Sequence, residues 1–272
     1  MVVATFAVAD FLLPEGYTVP GRGAVLREAT LVAEAGRLAW SRLHRGTQPP
    51  PSYAGPAAVG DAEPVVLVPG FLAGDASLGA LARALRERGH RTYRSRIHAN
   101  VDCTTRVTVQ LEARLESVVS RRGRRATVVG HSLGGLLARS LAVRRPDLVA
   151  GIVTLGSPML APGAHHAALT RSLAALVRLS RVGVPGLMAL ECVTGDCART
   201  SFDESRLPVP PEVSFTTVYS RRDGIVDWRA CLDPLATPVE VRSSHLGMVV
   251  DPAAIRAVVD AVAAGAALRE AV

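Results

Sequence analysis

From residue 65 to residue 155 the chain repeats one pattern: a short apolar run, a break at glycine or proline, then a longer stretch with helical spacing. Val65–Val68 is the first such run and stops at Pro69-Gly70. A continuous run of β-branched residues bounded by a breaker is how a strand reads when both its faces are buried. Residues 76–88 then carry helical spacing up to Gly89, and RTYRSRI (91–97) reads as a second strand. A helix at about 105–121, the strand ATVV (126–129), a helix at 133–145 stopped by Pro146 and a strand at 150–155 complete the series. Further strands are predicted at 214–219 and 239–242, and a final Ala- and Val-rich helix at 252–269. Strands alternating with helices specify a mostly parallel sheet with helices on both faces. Ligands in such sheets bind beyond the carboxyl ends of the strands, so the loops after residues 68, 129, 155, 219 and 242 are where chemistry is expected.

Two segments fall outside the rhythm. Residues 1–63 hold a helical stretch and then a Pro- and Gly-rich linker, QPPPSYAGPAAVGDAEP, that runs into Pro64. In the helical stretch, 24–44, Val25, Ala29, Val32, Gly36, Ala39 and Leu43 recur three to four residues apart, which places Arg27, Glu34 and Arg37 largely off the apolar face. The expectation is a helix packed on the main domain, with peripheral membrane or partner contact as the alternative. The main domain is expected over 64–272. Within it, residues 159–212 are too long for an ordinary connection. They carry several prolines and the helical stretch LTRSLAALVRLS, and read as a cap or lid-like insert.

Composition removes several chemistries. All 31 basic residues are arginine, which excludes a lysine-bearing phosphate loop and Schiff-base or pyridoxal-phosphate catalysis. The net charge of +7 invites anionic partners, but the densest cluster, Arg121, Arg122, Arg124 and Arg125, is broken by Gly123 and lacks interleaved aromatics. No nucleic acid partner is expected. The N-terminal MVVATFAVADFLLPEG lacks a basic lead and is interrupted by Asp10, so it makes a poor secretion signal. With no apolar run of about 18 residues, no membrane span is expected. The compartment stays open, with the cytoplasm favoured. Of Cys103, Cys192, Cys197 and Cys231, the pair in CVTGDC is close enough for a local disulfide, Cys192 to Cys197. A lone CxxxxC pair supplies too few ligands for zinc, and no metal is expected.

The sharpest motif is Gly130-His131-Ser132-Leu133-Gly134, a G-x-S-x-G pentapeptide. By itself the pentapeptide is weak evidence. Here it directly follows the strand ATVV and directly precedes a helix, the setting in which a serine hydroxyl is thrust out of a sharp turn. Small residues on either side let strand and helix approach closely. The helix N-terminus favours negative charge developing nearby.

With VPGF, GHSLGG and LGSP in this order, the chain resembles α/β-hydrolases of the lipase and esterase type over roughly residues 64–265. The resemblance implies a triad in the order serine, acid, histidine. After Ser132 the histidines are His165 and His166, in the insert, and His245, which follows the last strand. His245 is therefore the expected base, and His131 a packing residue. The acid should follow the preceding strand, where SFTTVYSRRDGIVDW offers Asp223 first and Asp227 second. The oxyanion hole implied by the resemblance uses the backbone amides of Leu133 and Phe71. Related lipases often carry His-Gly where this chain has Pro69-Gly70, which leaves open how that loop is braced. The implied activity is hydrolysis of esters with hydrophobic acyl groups, needing no cofactor. A thioesterase or acyltransferase would use the same triad, and a non-catalytic binding protein could keep the fold without it.

Overall fold

The structure is a computed structural model that describes residues 9–44 and 63–270. The first residues of the chain and most of the expected linker lie outside the described residues.

The first described segment contains a 3₁₀ turn, Ala24–Thr30, that runs into α1 (Leu31–His44). The first strand is β1 (Pro64–Val68), every residue of which is buried. The chain continues through a 3₁₀ turn (Asp75–Leu78), α2 (Gly79–Glu87), β2 (Arg91–Arg94), α3 (Thr104–Arg122), β3 (Ala126–His131), α4 (Leu133–Arg144) and β4 (Val149–Leu155). Between β4 and β5 lie α5 (Ala167–Arg181), the single turn α6 (Glu191–Thr194) and α7 (Asp196–Glu204). β5 (Ser214–Tyr219), β6 (Thr237–Glu240) and α8 (Pro252–Glu270) complete the chain.

The six strands form one sheet in the order β2-β1-β3-β4-β5-β6. Every neighbouring pair is parallel, so the expected mostly parallel sheet is wholly parallel. Because side chains alternate across a strand, the apolar runs feed two cores. Val66, Val68 and Val128 meet Val107, Leu111, Leu115, Leu137 and Leu141 of α3 and α4 on one face. Val65, Leu67 and Val129 meet Leu81 and Leu85 of α2 and Ile255, Val258 and Val262 of α8 on the other. A buried ion pair, Arg139 Nε to Asp233 Oδ2 at 2.7 Å, ties α4 to the connection between β5 and β6.

Two predicted strands are shifted or shortened. β6 ends at Glu240 instead of Arg242, because its register on β5 pairs Thr216 with Thr237 and Tyr219 with Glu240. β2 stops at Arg94 because the Ser95 and Arg96 amides turn to the Asp75 carboxylate instead of a neighbouring strand.

The N-terminal helix corrects a larger expectation. It does pack on the main domain, but by the face that periodicity assigned to solvent. Val32 and Leu43 are about 80% exposed, whereas Glu34 is 1% exposed and Leu38 8%. Glu28, in the preceding turn, is also buried. Charged side chains are buried only when their hydrogen-bonding capacity is met. Here both carboxylates meet backbone amides of the main domain. No helix among the described residues is long and apolar enough to cross a membrane.

Candidate active site

Ser132 sits between β3 and α4 with φ +52° and ψ −120°, a conformation that side chains rarely adopt. The surrounding packing holds it there. The Ser132 amide donates to the Leu155 carbonyl of β4 at 2.8 Å. A Cβ at Gly130 would lie 2.2 Å from the Gly134 carbonyl oxygen, and one at Gly134 would lie 2.2 Å from that of Val68. Both positions therefore exclude any side chain, which is why glycine flanks the turn on each side. The Leu133 amide is the first of α4 and has no intrahelical acceptor, so the positive end of the helix opens beside the hydroxyl.

His245 lies in the loop after β6, and Asp223 in the loop after β5. Both are buried, with His245 Nδ1 2.7 Å from Asp223 Oδ2. The other carboxylate oxygen of Asp223 accepts the Ile225 and Val226 amides at 2.8 Å each, which fixes its orientation. Burial alone would lower the His245 pKa, but the carboxylates of Asp223 and Glu28 outweigh it and raise the pKa above that of a free histidine. Asp227 has other partners: Thr18 on one oxygen and the Arg229 amide on the other.

His131, next to Ser132, is buried, and burial helped by the nearby His245 pushes its pKa down to about 3. It is therefore neutral, and its Nε2–H donates to the His245 carbonyl at 3.0 Å. The two rings stand 4.9 Å apart, so the strand bearing Ser132 and the loop bearing His245 are held together. Ser132 Oγ and His245 Nε2 form no hydrogen bond in this structure. Such contacts commonly tighten only when substrate is bound.

The loop after β1 carries Phe71. Its bracing comes from a residue with no counterpart in the sequence motifs. Asn100 is buried, its side-chain amide donates to the Pro69 carbonyl at 2.8 Å, and its own backbone carbonyl accepts the Leu72 amide at 3.1 Å. Asn100 thus braces the Pro69-Gly70 loop from both sides of Phe71. Ser132, Phe71 and Leu133 border a cavity of about 130 Å³ walled by Leu136, Leu169, Leu173, Met188 and Val193. A second cavity of about 120 Å³ shares Leu133, Leu136 and Cys192 with it and extends to Phe202. Residues 159–212 supply much of both linings. His165 also borders the first cavity, and His166 caps α5 by accepting the Ala168 amide.

Besides Asn100, sequence reasoning missed Glu28 and Glu34. One oxygen of Glu28 accepts the His245 and Gly224 amides, each at 3.0 Å, and the other accepts the Leu246 amide at 2.8 Å. Glu34 accepts the Ser244 amide at 2.8 Å and its hydroxyl at 2.6 Å. The two carboxylates thus replace a strand's worth of hydrogen bonds for the histidine loop. Glu34 leaves a trace in sequence only in retrospect: a Cβ at Gly247 would lie 1.6 Å from Glu34 Oε2.

A family model described as the alpha/beta hydrolase fold matches residues 122–178, the span from β3 through the elbow and β4 into α5. A triacylglycerol lipase of Vibrio cholerae serotype O1 is 32% identical over 99 residues, 34% of this chain and 31% of that protein. The match therefore spans less than a third of the relative's length. Among solved structures, a Bacillus licheniformis lipase in its mature form superposes with a TM-score of 0.58 at 16% identity, covering 79% of this chain and 96% of that one. A Paleococcus ferrophilus monoacylglycerol lipase gives 0.51 at 17% identity, covering 74% and 94%. The parallel sheet of the described residues, the strand–turn–helix at Ser132 and these matches show that the chain has the α/β-hydrolase fold.

Proposed function

We propose that the protein is a serine hydrolase that cleaves carboxylic esters with hydrophobic acyl groups, using Ser132, His245 and Asp223. One observation carries the reading: a serine in a strained elbow borders an apolar cavity, beside a buried histidine–aspartate pair. His245 takes the Ser132 proton as Ser132 Oγ attacks the ester carbonyl. Asp223 holds the imidazole with Nδ1–H toward itself and stabilises the imidazolium. The oxyanion rests on the Phe71 and Leu133 amides, which stay fixed as charge develops. His245 then protonates the leaving alcohol, and water repeats the sequence to free the acid and Ser132.

The apolar walls contributed by residues 159–212 support that segment as a cap that binds the acyl chain. The lipase names of the similar proteins point the same way. Turnover of esters of increasing acyl length, each beside its thioester, tests the reading against the Ser132→Ala variant. Ester hydrolysis that rises with acyl length and vanishes in the variant is expected. Turnover no greater than that of Ser132→Ala would overturn the proposal, and faster thioester cleavage would move the protein to the thioesterase alternative.

A further inference from the structure

The sequence pairs Cys192 with Cys197, but the fold introduces a third partner. All four cysteines are free thiols in the structure, so the expected local disulfide is not formed. Cys103, at the N-cap of α3, brings its Sγ to 3.2 Å from that of Cys197, 94 residues later in α7. Cys192 Sγ joins them, with all three sulfurs within 4.8 Å of one another. Hydroxyls continue the seam: Thr105 Oγ1 is 3.2 Å from Cys197 Sγ, and Thr104 Oγ1 is 3.1 Å from Ser201 Oγ. Here α7 meets the N-terminus of α3 through thiols and hydroxyls. The three clustered cysteines are partly exposed, whereas Cys231 is fully buried.

We propose that Cys103 and Cys197 form a thiol–disulfide modification site that staples the insert to the N-terminus of α3, with Cys192 as the bystander thiol. Closing 3.2 Å to a bond of about 2.05 Å needs roughly 1 Å of movement, which partly exposed side chains can supply. The thiols are not alike. Burial pushes Cys103 up, but backbone amides of Arg106 and Thr105 and the neighbouring S–H groups donate to its sulfur and hold its pKa below that of a free cysteine. Burial and the neighbouring Cys103 push Cys192 up to about 12. Cys103 is thus the thiol that reacts first, since the thiolate is the nucleophile.

The oxidant is a low-molecular-weight disulfide. The Cys103 thiolate attacks one of its sulfurs, the S–S bond breaks, and one thiolate leaves. Cys197 gives up its proton and attacks the Cys103 sulfur of the mixed disulfide, expelling the second thiolate. The protein loses two electrons and two protons, and the small disulfide becomes two thiols. The bystander Cys192 and Thr104, the residue after Cys103, border the cavity that reaches Ser132, so the staple lies just behind that wall. Any effect on turnover rests on the hydrolase reading; the linkage itself does not.

The test equilibrates the full chain, first reduced with dithiothreitol, with excess glutathione disulfide. It is then acid-quenched, alkylated and peptide-mapped. The expected result is two alkylated cysteines, Cys192 and Cys231, and a linked peptide joining Cys103 to Cys197. Cys103→Ser and Cys197→Ser should lose that linked peptide, and Cys192→Ser should keep it. Oxidation should raise Tm by roughly 5–10 °C, as closing a loop of this length constrains the unfolded chain. Four alkylated cysteines, a Cys192–Cys197 or Cys103–Cys192 linkage, or one equivalent of zinc retained on the three thiols would each overturn the proposal.

Discussion

Ser132 is fixed by its own turn, and His245 by a carboxylate 217 residues away in the chain. Around the serine, glycines at 130 and 134 let β3, α4 and β1 close to within contact, and the strain is held by backbone against backbone. Around the histidine, the loop after β6 has few sheet bonds of its own. Glu28 and Glu34 reach in from the N-terminal helical segment and collect its amides. Two parts of one site are therefore built differently: the first by sterics that tolerate no change, the second by charge-assisted hydrogen bonds that report on distant residues. The first should fail by losing the fold of the turn, the second by losing alignment and pKa.

Substitutions at the two regions should differ in size and in kind. Asp223→Asn should lower kcat by about 10⁴-fold with the fold intact, the loss known for the equivalent change in a serine protease triad, because the imidazole is then held in the wrong tautomer. Steady-state ester kinetics beside a circular dichroism melt measure it. Gly134→Ala should cost roughly 3 kcal/mol of stability, since its Cβ meets the Val68 carbonyl and neither backbone can yield. Urea unfolding reads that number, and an unchanged midpoint would show that the elbow is looser than described. Glu34→Ala should cost about 2 kcal/mol, because it leaves the buried Ser244 amide and hydroxyl without an acceptor. The same urea assay should show the loss, and steady-state ester kinetics should show KM little changed.

Glu28→Gln is the smallest and most telling. One amide oxygen cannot accept the three N–H groups that the carboxylate accepts. About 10-fold in kcat is expected, on the order of 1.4 kcal/mol. The pH profile separates alignment from bulk stability. His245 acts as base only when neutral, so kcat/KM rises with pH through its pKa, which lies above the ordinary histidine value. Removing the Glu28 charge withdraws support for the imidazolium, so the acidic limb moves to lower pH. A limb that stays in place while kcat falls would mean that Glu28 acts through packing alone.

The same comparison explains what was legible in the sequence. Fold class, the order of the strands along the chain and the elbow are written in contiguous residues. A Val-rich run, a glycine pair and a helix start declare themselves wherever they occur. Asp223 and His245 were legible through chain order and the strand ends they follow. Glu28 and Glu34 were not, because a helical wheel scores carboxylates as solvent-facing and has no way to register an amide donor supplied 210 residues later. That is why the wheel turned α1 the wrong way, leaving Val32 and Leu43 in solvent. Asn100 escaped for a related reason: one asparagine between apolar stretches carries no period, and its partner Pro69 lies on another strand's loop. Cysteine spacing showed only part of a cluster, since neighbours in sequence suggested Cys192 with Cys197 while α3 brings Cys103 beside both.

Whether Ser132 is a nucleophile poised by this site is read most directly by labelling with a fluorophosphonate, followed by peptide mass mapping. One label per folded chain is expected, on Ser132, absent from Ser132→Ala and slower but present in Glu28→Gln. A folded wild type that takes no label, or equal labelling of Ser132→Ala, would contradict it.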